Sequence, residues 1–404
     1  MRIIVQKFGG SSLADLKRIK KVAKIIKATI NKGYLPCVVV SAMGDTTDEL
    51  LNLAKKINPL PPERELAMLL SCGERISASL LAITLTKMGI EALSFTGSQI
   101  GIITDNNFTT ARIKMVNGIR LRKALEEKKV PIVMGFQGVS FDKEITLLGR
   151  GGSDITAVAL AIALKAERCE IYSDVSGVYT EDPYLFKEAK LIKRLTYDEM
   201  LEMSVFGAEV LHPRACALAS KYNLKLILKS SFNKKGETMI SKDLEFEEIK
   251  VKGITHQEDL VLFSLINIPK KTKCLHQVIS YLAENRIKPI FFSHGLPDNQ
   301  IFDLLFIVKE EDKKRCERLL EKINKEIGWR KILKKENMAS FSLVGQEIGQ
   351  SNEILEKLFA TLTKNQIHID GFSLSPNRIT CFLSQKNLKK AIRILLKAFQ
   401  LTNE

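Results

Sequence analysis

Short apolar runs alternate with longer amphipathic segments along residues 1–232. Apolar runs typical of strands buried on both faces occur at residues 3–5, 36–40, 132–134 and 169–172. Residues 13–31 carry apolar side chains at helical spacing, and residues 155–166 are apolar almost all round, which predicts a buried helix. Strands alternating with helices predict an α/β domain whose mainly parallel sheet is covered by helices on both faces.

The pattern changes in residues 233–257. A turn sequence at 233–236 and an acidic segment at 243–248 interrupt the apolar periodicity. We therefore assign residues 1–232 to a first domain and residues 233–257 to a linker.

An internal repeat follows the linker. Phe-Ser-Leu at 263–265 recurs at 341–343, and an Asn-x-Ile sequence follows each copy at a similar distance. The near-constant offset predicts two βαββαβ modules, at 258–335 and 336–404, and leaves open whether they interleave. The alternative is one α+β domain whose similar segments are accidental.

The composition is that of a globular protein with an excess of basic residues. Of the 404 residues, 27% are charged and the net charge is +16. This charge is spread over both halves of the chain, which argues against a nucleic-acid partner but would attract anionic substrates. No apolar run approaches the roughly 18 residues of a membrane span. The residues before Lys7 leave no room for a signal peptide, so we expect a cytoplasmic protein without a membrane partner.

Cysteine and histidine give no metal or redox signature. The seven cysteines are odd in number and form no Cys-x-x-Cys pair, which argues against a disulfide framework and a zinc site. We therefore predict no metal ligands among the side chains. His212, which precedes Pro213, is more simply structural than functional.

Two glycine-rich loops each lead into a predicted helix. Loop 1 (residues 7–12, Lys-Phe-Gly-Gly-Ser-Ser) offers a flexible backbone for a phosphate, with Lys7 as a mobile positive charge. Loop 2 (residues 149–154, Gly-Arg-Gly-Gly-Ser-Asp) offers Arg150 to a carboxylate. It begins like a dinucleotide fingerprint, but Asp154 replaces the third glycine and no suitable strand precedes it. Either loop alone is more often a simple turn, whereas the two together favour phosphoryl transfer to an acid.

A third segment, the nucleotide segment (residues 172–183), leaves a predicted strand at its carboxyl end. Ligands bind at that end of the strands in open α/β sheets. Its hydroxyls and carboxylates suit a nucleotide, although an acidic loop without a ligand is the alternative.

These segments resemble those of aspartate kinases, which are amino acid kinases with paired ACT regulatory modules. The similarity covers essentially residues 1–232 and is weaker beyond. The matching segments, in the order of that family, are residues 7–12, 41–48, 73–77, 95–99, 135–138, 149–157 and 172–183.

The resemblance implies transfer of phosphate from ATP, with Mg²⁺, to L-aspartate, giving β-aspartyl phosphate for lysine, threonine and methionine biosynthesis. It implies these catalytic residues: Lys7, Arg150 and Asp154. It implies these substrate-binding residues: Thr47, Glu74, Arg150, Gly151, Gly152, Ser153 and Asp154. It implies these nucleotide-binding residues: Lys7, Phe8, Gly9, Gly10, Ser11, Ser41, Ser173, Asp174, Tyr179, Thr180, Glu181, Asp182 and Pro183.

In that mechanism the substrate carboxylate is already ionised, so the protein positions groups and stabilises charge. Lys7 would neutralise the transferring phosphoryl group, and Asp154 would order loop 2 and the lysine. Arg150 would bind a substrate carboxylate, and Glu74 would pair with the α-ammonium.

Two departures from the family concern the nucleotide. Tyr184 follows Asp-Pro where the family usually has arginine, and Lys229 replaces the arginine of Val-Arg-Ser-Ser. We expect Tyr184 to remove a phosphate or loop contact, whereas Lys229 keeps the charge but loses two-point geometry.

The repeated modules depart further. The family's Asp-x-Pro-Gly effector loop reads Asn-Ile-Pro-Lys at 267–270, and its Asn-Ile-Asp segment reads Lys-Pro-Ile at 288–290. The second module keeps His-Ile-Asp at 368–370 and Arg378. We expect lysine and threonine feedback to be lost or remodelled, with the modules holding a homodimer or higher oligomer.

Two other readings stay open. A related kinase would phosphorylate glutamate, N-acetylglutamate or UMP, but Thr47, Glu74 and Arg150 together match both charged ends of aspartate. A non-catalytic regulatory paralogue or basic nucleic-acid partner would not need the charged catalytic residues that this chain retains.

Overall fold

The chain divides into two units, Met1–Glu248 and Ile249–Thr402, each with its own sheets. The computed structural model describes residues 1–208, 210–233, 236–242, 249–269, 272–295 and 301–403. Residues 234–235 of the predicted turn at 233–236, the acidic segment 243–248 and Lys270 lie outside the described residues.

The first unit is an α/β fold. Its strands are β1 (Ile3–Phe8), β2 (Leu35–Val40), β3 (Ala92–Phe95), β4 (Ile102–Thr104), β5 (Ile113–Val116), β6 (Val130–Met134), β7 (Gln137–Ser140), β8 (Ile145–Leu147), β9 (Arg168–Ser173), β10 (Arg194–Leu195), β11 (Leu226–Ser230) and β12 (Thr238–Ile240). Its helices are α1 (Gly10–Leu13), α2 (Leu16–Asn31), α3 (Thr46–Ile57), α4 (Glu63–Leu70), α5 (Gly73–Lys87), α6 (Ile119–Glu126), α7 (Gly152–Leu164), α8 (Tyr197–Val205) and α9 (Pro213–Lys221).

The main sheet has the strand order β10-β12-β11-β9-β1-β2-β6-β3. Neighbouring strands are parallel throughout, except for the antiparallel pair β11 and β12. All four apolar runs noted in the sequence lie in its central strands, so the prediction of a mainly parallel sheet is confirmed.

Helices cover both faces of this sheet. Gln6 of β1 contacts Thr29 of α2, whereas its neighbour Lys7 contacts Asp154 of α7. Successive residues of a strand point to opposite faces, so α2 and α7 lie on opposite sides. Almost every residue of α7 is buried, as its sequence predicted.

Two features differ from the sequence prediction. The expected helix at 13–31 is interrupted, because Asp15 adopts an extended conformation and caps α2 through the N–H of Arg18 (2.8 Å). A second, four-stranded sheet of order β5-β4-β7-β8 was not predicted. Strands of three or four residues carry too little periodicity to be recognised.

One helical stretch among the described residues, Glu63–Lys87, is long and apolar enough to cross a membrane by length and composition alone. Core helices pass the same test, and Ala78, Leu81 and Leu85 within it are fully buried.

The second unit is a six-stranded antiparallel sheet with helices. Its strands are β13 (Gly253–Pro269), β14 (Phe291–His294), β15 (Ile301–Lys309), β16 (Lys331–Val344), β17 (Gly371–Ser375) and β18 (Arg378–Ser384). Its helices are α10 (Thr272–Glu284), α11 (Lys313–Ile327), α12 (Asn352–Lys364) and α13 (Leu388–Ala398). The strand order is β14-β15-β13-β16-β18-β17.

The two central strands of this sheet are shared between the repeated modules. β13 and β16 pair along most of their length, with register shifts near their middles. From Leu260 onward β13 also pairs with β15, and from Met338 onward β16 also pairs with β18. Each long strand therefore contributes to both βαββαβ modules, which interleave. Residues 233–257, assigned above to a linker, include β12 of the first unit and the start of β13.

Candidate active site

Four neighbouring parallel strands end at one edge of the main sheet. Lys7 lies at the end of β1, Ser41 follows β2, Gly135 follows β6 and Ser173 ends β9. These strands are adjacent in the order β9-β1-β2-β6. Loop 1 and the nucleotide segment therefore meet at the edge where open α/β sheets bind ligands.

Lys7 and Asp154 form a buried ion pair at this edge. Lys7 Nζ lies 2.7 Å from Asp154 Oδ1, and the two side chains are only 13% and 8% exposed. The other oxygen, Asp154 Oδ2, accepts a hydrogen bond from the backbone N–H of His212 (3.1 Å). Asp154 therefore fixes the direction of the lysine side chain, because a buried pair is little screened by water.

Loop 1 is packed so closely at Gly10 that a side chain there would force its neighbours to shift. A Cβ on Gly10 would lie 2.9 Å from the carbonyl oxygen of Gly44 and 3.0 Å from that of Ala42. The N–H of Gly9 donates to the carbonyl of Tyr172 (3.2 Å), at the start of the nucleotide segment. Loop 1 is thus held between β2 and β9.

Glu74, in the first turn of α5, is the most isolated carboxylate of the site. It is 2% exposed, and its Oε1 accepts the N–H of Ala42 (3.1 Å). Its Oε2 is buried without a hydrogen-bond partner among the described residues. Burial raises the pKa of Glu74 to about 8. A buried carboxylate oxygen without a partner is costly, so a cation that reached it would be strongly favoured.

Loop 2 carries Arg150 on its surface. The Arg150 side chain is 83% exposed, and its Nη2 lies 3.1 Å from Oδ1 of Asp48, which adjoins Thr47 at the start of α3. Gly151 has a φ of +74°, a conformation that favours glycine. Ser153 is buried, and a Cβ on Gly135 would lie 2.7 Å from its Oγ.

The nucleotide segment exposes only part of its polar surface. Thr180 and Glu181 are buried, whereas Asp174 is exposed and accepts a hydrogen bond from the Tyr184 hydroxyl (3.1 Å). Asp182 accepts the N–H of Tyr184 (2.8 Å). The remaining predicted residues of the segment, Ser173, Tyr179 and Pro183, are partly buried.

Phe8 and Lys229 lie away from Lys7. The Phe8 ring is fully buried and stacks on Tyr172 at 4.7 Å, so only its backbone can face a nucleotide. Lys229 Nζ lies 3.4 Å from Glu170 Oε1 and 3.2 Å from Glu237 Oε2. Burial would raise the pKa of Glu170, but Lys229 and two further donors hold it below its ordinary value.

Three contacts at loop 2 were missed by sequence reasoning. They involve Asp48, His212 and Arg214, of which the last donates to the carbonyl of Leu148 (2.7 Å). Their partners lie 58 to 102 residues away in the chain. No local pattern could have found such contacts.

Comparison with known proteins identifies the family. The family model described as the amino acid kinase family matches residues 2–230, more than half of the chain. The chain belongs to the amino acid kinase family. It is therefore an enzyme of the kinase class, and its full-length relatives are aspartokinases.

Two of these relatives match the kinase from end to end. The aspartokinase of Bacillus sp. (strain MGA3) is 39% identical over 403 residues, covering 100% of this chain and 98% of the relative. An aspartokinase of Thermus thermophilus is 42% identical over 404 residues, covering 99% of each.

Solved structures show the same fold. E. coli aspartokinase III in complex with aspartate and ADP (R-state) superposes with a TM-score of 0.83 at 22% identity, covering 98% of this chain and 100% of that one. Aspartate kinase from Synechocystis gives a TM-score of 0.56 at 34% identity, covering 100% of this chain and 70% of that one. The first likeness, at low identity, concerns the fold alone.

Proposed function

We propose that this kinase transfers the γ-phosphate of ATP to the β-carboxylate of L-aspartate, giving β-aspartyl phosphate. The observation that carries the proposal is Glu74, whose buried Oε2 has no hydrogen-bond partner among the described residues. An amino-acid ammonium group would provide that partner. Phosphate acceptors such as UMP have no such group, and acetylation removes its charge from N-acetylglutamate.

Ala42 connects this carboxylate with the phosphate-binding loop. Its N–H is bound by Glu74, and its carbonyl oxygen is one of the atoms that a Cβ on Gly10 would meet. An amino acid bound at Glu74 would therefore lie next to loop 1 and to Lys7. Arg150 would bind a substrate carboxylate. Asp48, which pairs with Arg150 here, would then either release the arginine or share it with the substrate.

The substrate carboxylate needs no general base, because it is ionised at neutral pH. It would attack the γ-phosphate in line, and Lys7, held by Asp154, would neutralise the charge on the phosphoryl oxygens. Thr47 and Ser153 would hydrogen-bond the substrate. Ser41 and the nucleotide segment would line the nucleotide site.

Magnesium enters as part of the nucleotide substrate. The described residues contain no group of three or more His, Cys, Asp or Glu that could hold a metal ion. Mg²⁺ is usually held by substrate phosphates and one or two carboxylates, so we expect it to arrive with ATP. Bound with ATP, it supplies charge neutralisation of the phosphates.

Two residues of the second unit support the proposal that lysine and threonine feedback is altered. Asp370, the carboxylate retained from the family's effector segment, is 15% exposed and already paired with Lys335 of β16. The equivalent position in the first module is Ile290, which immediately precedes β14 as Asp370 precedes β17. Ile290 is apolar and carries no carboxylate. Neither module therefore offers an unpaired carboxylate at this position.

Feedback is tested by titrating lysine plus threonine into the activity assay. We expect inhibition of less than about fivefold, below the range of ordinary allosteric coupling. Lys335→Met, which releases Asp370, is expected to increase sensitivity. Lys334→Met, which loses ion pairs to other carboxylates, serves as the control. Strong inhibition of the unmodified protein at sub-millimolar effector would disprove the proposal.

We also propose a cytoplasmic homodimer or higher oligomer that assembles through the second unit. β17 is an edge strand of the six-stranded sheet, and its Phe372 and Leu374 are exposed. Exposed edge strands with apolar side chains are suited to pairing. Light scattering of the purified protein tests this, and a monomer at micromolar concentration would contradict it.

The activity is tested by trapping acyl phosphate with hydroxylamine. Aspartate, glutamate and N-acetylglutamate are each supplied with ATP and Mg²⁺, and hydroxamate is expected from aspartate alone. Lys7→Met should abolish the product, whereas Lys20→Met, which removes an exposed lysine of α2, should not. Hydroxamate from another acid would favour a related kinase, and none from any acid would favour a non-catalytic paralogue.

A further inference from the structure

Arg214, at the start of α9, is a half-buried cation that the proposed reaction does not use. Its Nη1 donates to the carbonyl of Leu148 (2.7 Å), and its Nη2 donates to the carbonyl of Ala111 (2.8 Å). Burial lowers the pKa of Arg214, and Arg112 nearby lowers it further. Removing a guanidinium from water is costly, and these two hydrogen bonds offset that cost.

The carbonyl of Leu148 marks the start of loop 2. Leu148 immediately precedes Gly149, and the N–H of Ala111 also binds the carbonyl of Leu147 (2.8 Å). One guanidinium therefore connects α9 with the chain entering loop 2 and with the neighbouring loop at residue 111.

His212 contacts the middle and the end of the same loop. Its backbone N–H donates to Asp154 Oδ2 (3.1 Å). A Cβ on Gly151 would lie 2.7 Å from its Cδ2, so the imidazole lies directly against the loop backbone. Its Nδ1 accepts the N–H of Arg214 (3.0 Å), which fixes the ring.

Residues 212–214 therefore contact the residue that precedes loop 2 and the middle and end of the loop itself. Loop 2 contains three glycines, and glycine loses more conformational freedom on folding than any other residue. Its internal backbone bonds, Gly152 N–H to Gly149 carbonyl (2.8 Å) and Asp154 N–H to Gly151 carbonyl (3.1 Å), do not anchor it to the rest of the unit. Residues 212–214 supply anchoring contacts, beside the ion pairs that join Asp154 to Lys7 and Arg150 to Asp48.

We propose that residues 212–214 hold loop 2 in its working position and that Arg214 is a positioning residue for Arg150. The inference rests on the proposed function, because Arg150 is assigned there to the substrate carboxylate. Arg150 lies two residues after Leu148, and its exposed side chain pairs with Asp48 (3.1 Å). The position of its guanidinium therefore depends on that ion pair and on the loop backbone that Arg214 holds. A displacement of about 1 Å in such a group costs on the order of a hundredfold in rate.

The test compares Arg214→Met with Arg122→Met. Arg122 is also half-buried and donates to a main-chain carbonyl, that of Ala163 (2.7 Å), but at the opposite end of α7. For Arg214→Met we expect kcat/KM for aspartate to fall at least about tenfold while KM for ATP changes less than about twofold. Arg122→Met should leave both constants near those of the unmodified protein.

A merely structural role for Arg214 gives a different result. Both methionine variants would then lose thermal stability and active fraction to a similar extent, with KM for aspartate unchanged, and the proposal would be overturned. If Arg214→Met does not fold, Arg214→Lys is measured in its place. Lysine keeps the charge and can reach one carbonyl, so we expect a smaller fall in kcat/KM for aspartate with KM for ATP unchanged, and no fall would overturn the proposal.

Hydrogen exchange separates the positioning role from the proposed function. Backbone amides of residues 149–154 should exchange faster in Arg214→Met than in the unmodified protein or in Arg122→Met. Unchanged exchange overturns the positioning role. Absence of hydroxamate from the unmodified protein would instead disprove the proposed function, while the exchange rates would still decide whether Arg214 holds loop 2.

Discussion

The Glu74→Gln substitution removes the buried carboxylate on which the substrate assignment depends. Its surroundings raise the pKa of Glu74 from an ordinary value of 4.5 to about 8, through burial. In the free enzyme, Glu74 is therefore largely protonated at pH 7 and cannot pair with an ammonium group until it ionises. The pH dependence of kcat/KM reports groups of the free enzyme. We expect kcat/KM for aspartate to rise with an apparent pKa of about 8.

The pH dependence of kcat should be flatter. Once aspartate is bound, its ammonium group favours the ionised carboxylate and lowers the pKa of Glu74. Glu74→Gln should reduce kcat/KM for aspartate and abolish the pH dependence near pH 8. Glu199→Gln, in which the buried capping-box carboxylate of α8 is replaced, should keep the profile of the unmodified protein.

The same pKa predicts an effect on stability. A carboxyl whose pKa is raised in the folded state binds more protons folded than unfolded between its two pKa values, so stability falls as pH rises from 4.5 to about 8. This rise in the pKa of Glu74 corresponds to at most about 5 kcal/mol of unfolding free energy. Above pH 8, Glu74→Gln should therefore melt at a higher temperature than the unmodified protein. A flat kcat/KM profile between pH 6 and 9, with equal melting temperatures, would refute this reasoning.

Three further substitutions test other contacts of the site. Gly10→Ala would bring a methyl group against main-chain carbonyls of residues 42–44, so KM for ATP should rise roughly tenfold or more, measured by steady-state kinetics. Lys229→Met removes the ammonium that lies near two carboxylates, and thermal denaturation should show a loss of about 1–3 kcal/mol with kcat retained. A large loss of kcat would instead place Lys229 in the nucleotide site. Tyr184→Phe removes an exposed hydrogen bond to Asp174, and KM for ATP should change less than about twofold. A tenfold rise would show that this bond positions the nucleotide.

The strands and the two glycine loops could be predicted from sequence because their signals are local. Buried parallel strands read as apolar runs, and glycines before Ser153 and Asp154 mark a tight entry into α7. The break between α1 and α2 could also have been read, since Asp15 is a preferred capping residue. The apolar periodicity continues from α1 into α2, so that pattern alone does not show the break.

The contacts that hold the site together could not be predicted in this way. Asp48, His212 and Arg214 are ordinary polar residues until the fold brings them to loop 2. Alternation along β1 decides that Phe8 faces away from Lys7, but only the structure shows which face carries α7. The sequence repeat does not determine the strand order, so it could not show that both modules share β13 and β16.

The shared strands β13 and β16 have a consequence for how the second unit folds. An ordinary tandem duplication gives two copies that can be separated by cutting the chain between them. Here a cut between residues 335 and 336 would fall inside β16 and would separate the second copy from residues 253–257 of β13, which pair with residues 340–344 of β16. The second copy therefore depends on a strand that begins the first. Because β13 and β16 pair along most of their length, the second unit is expected to melt in a single transition.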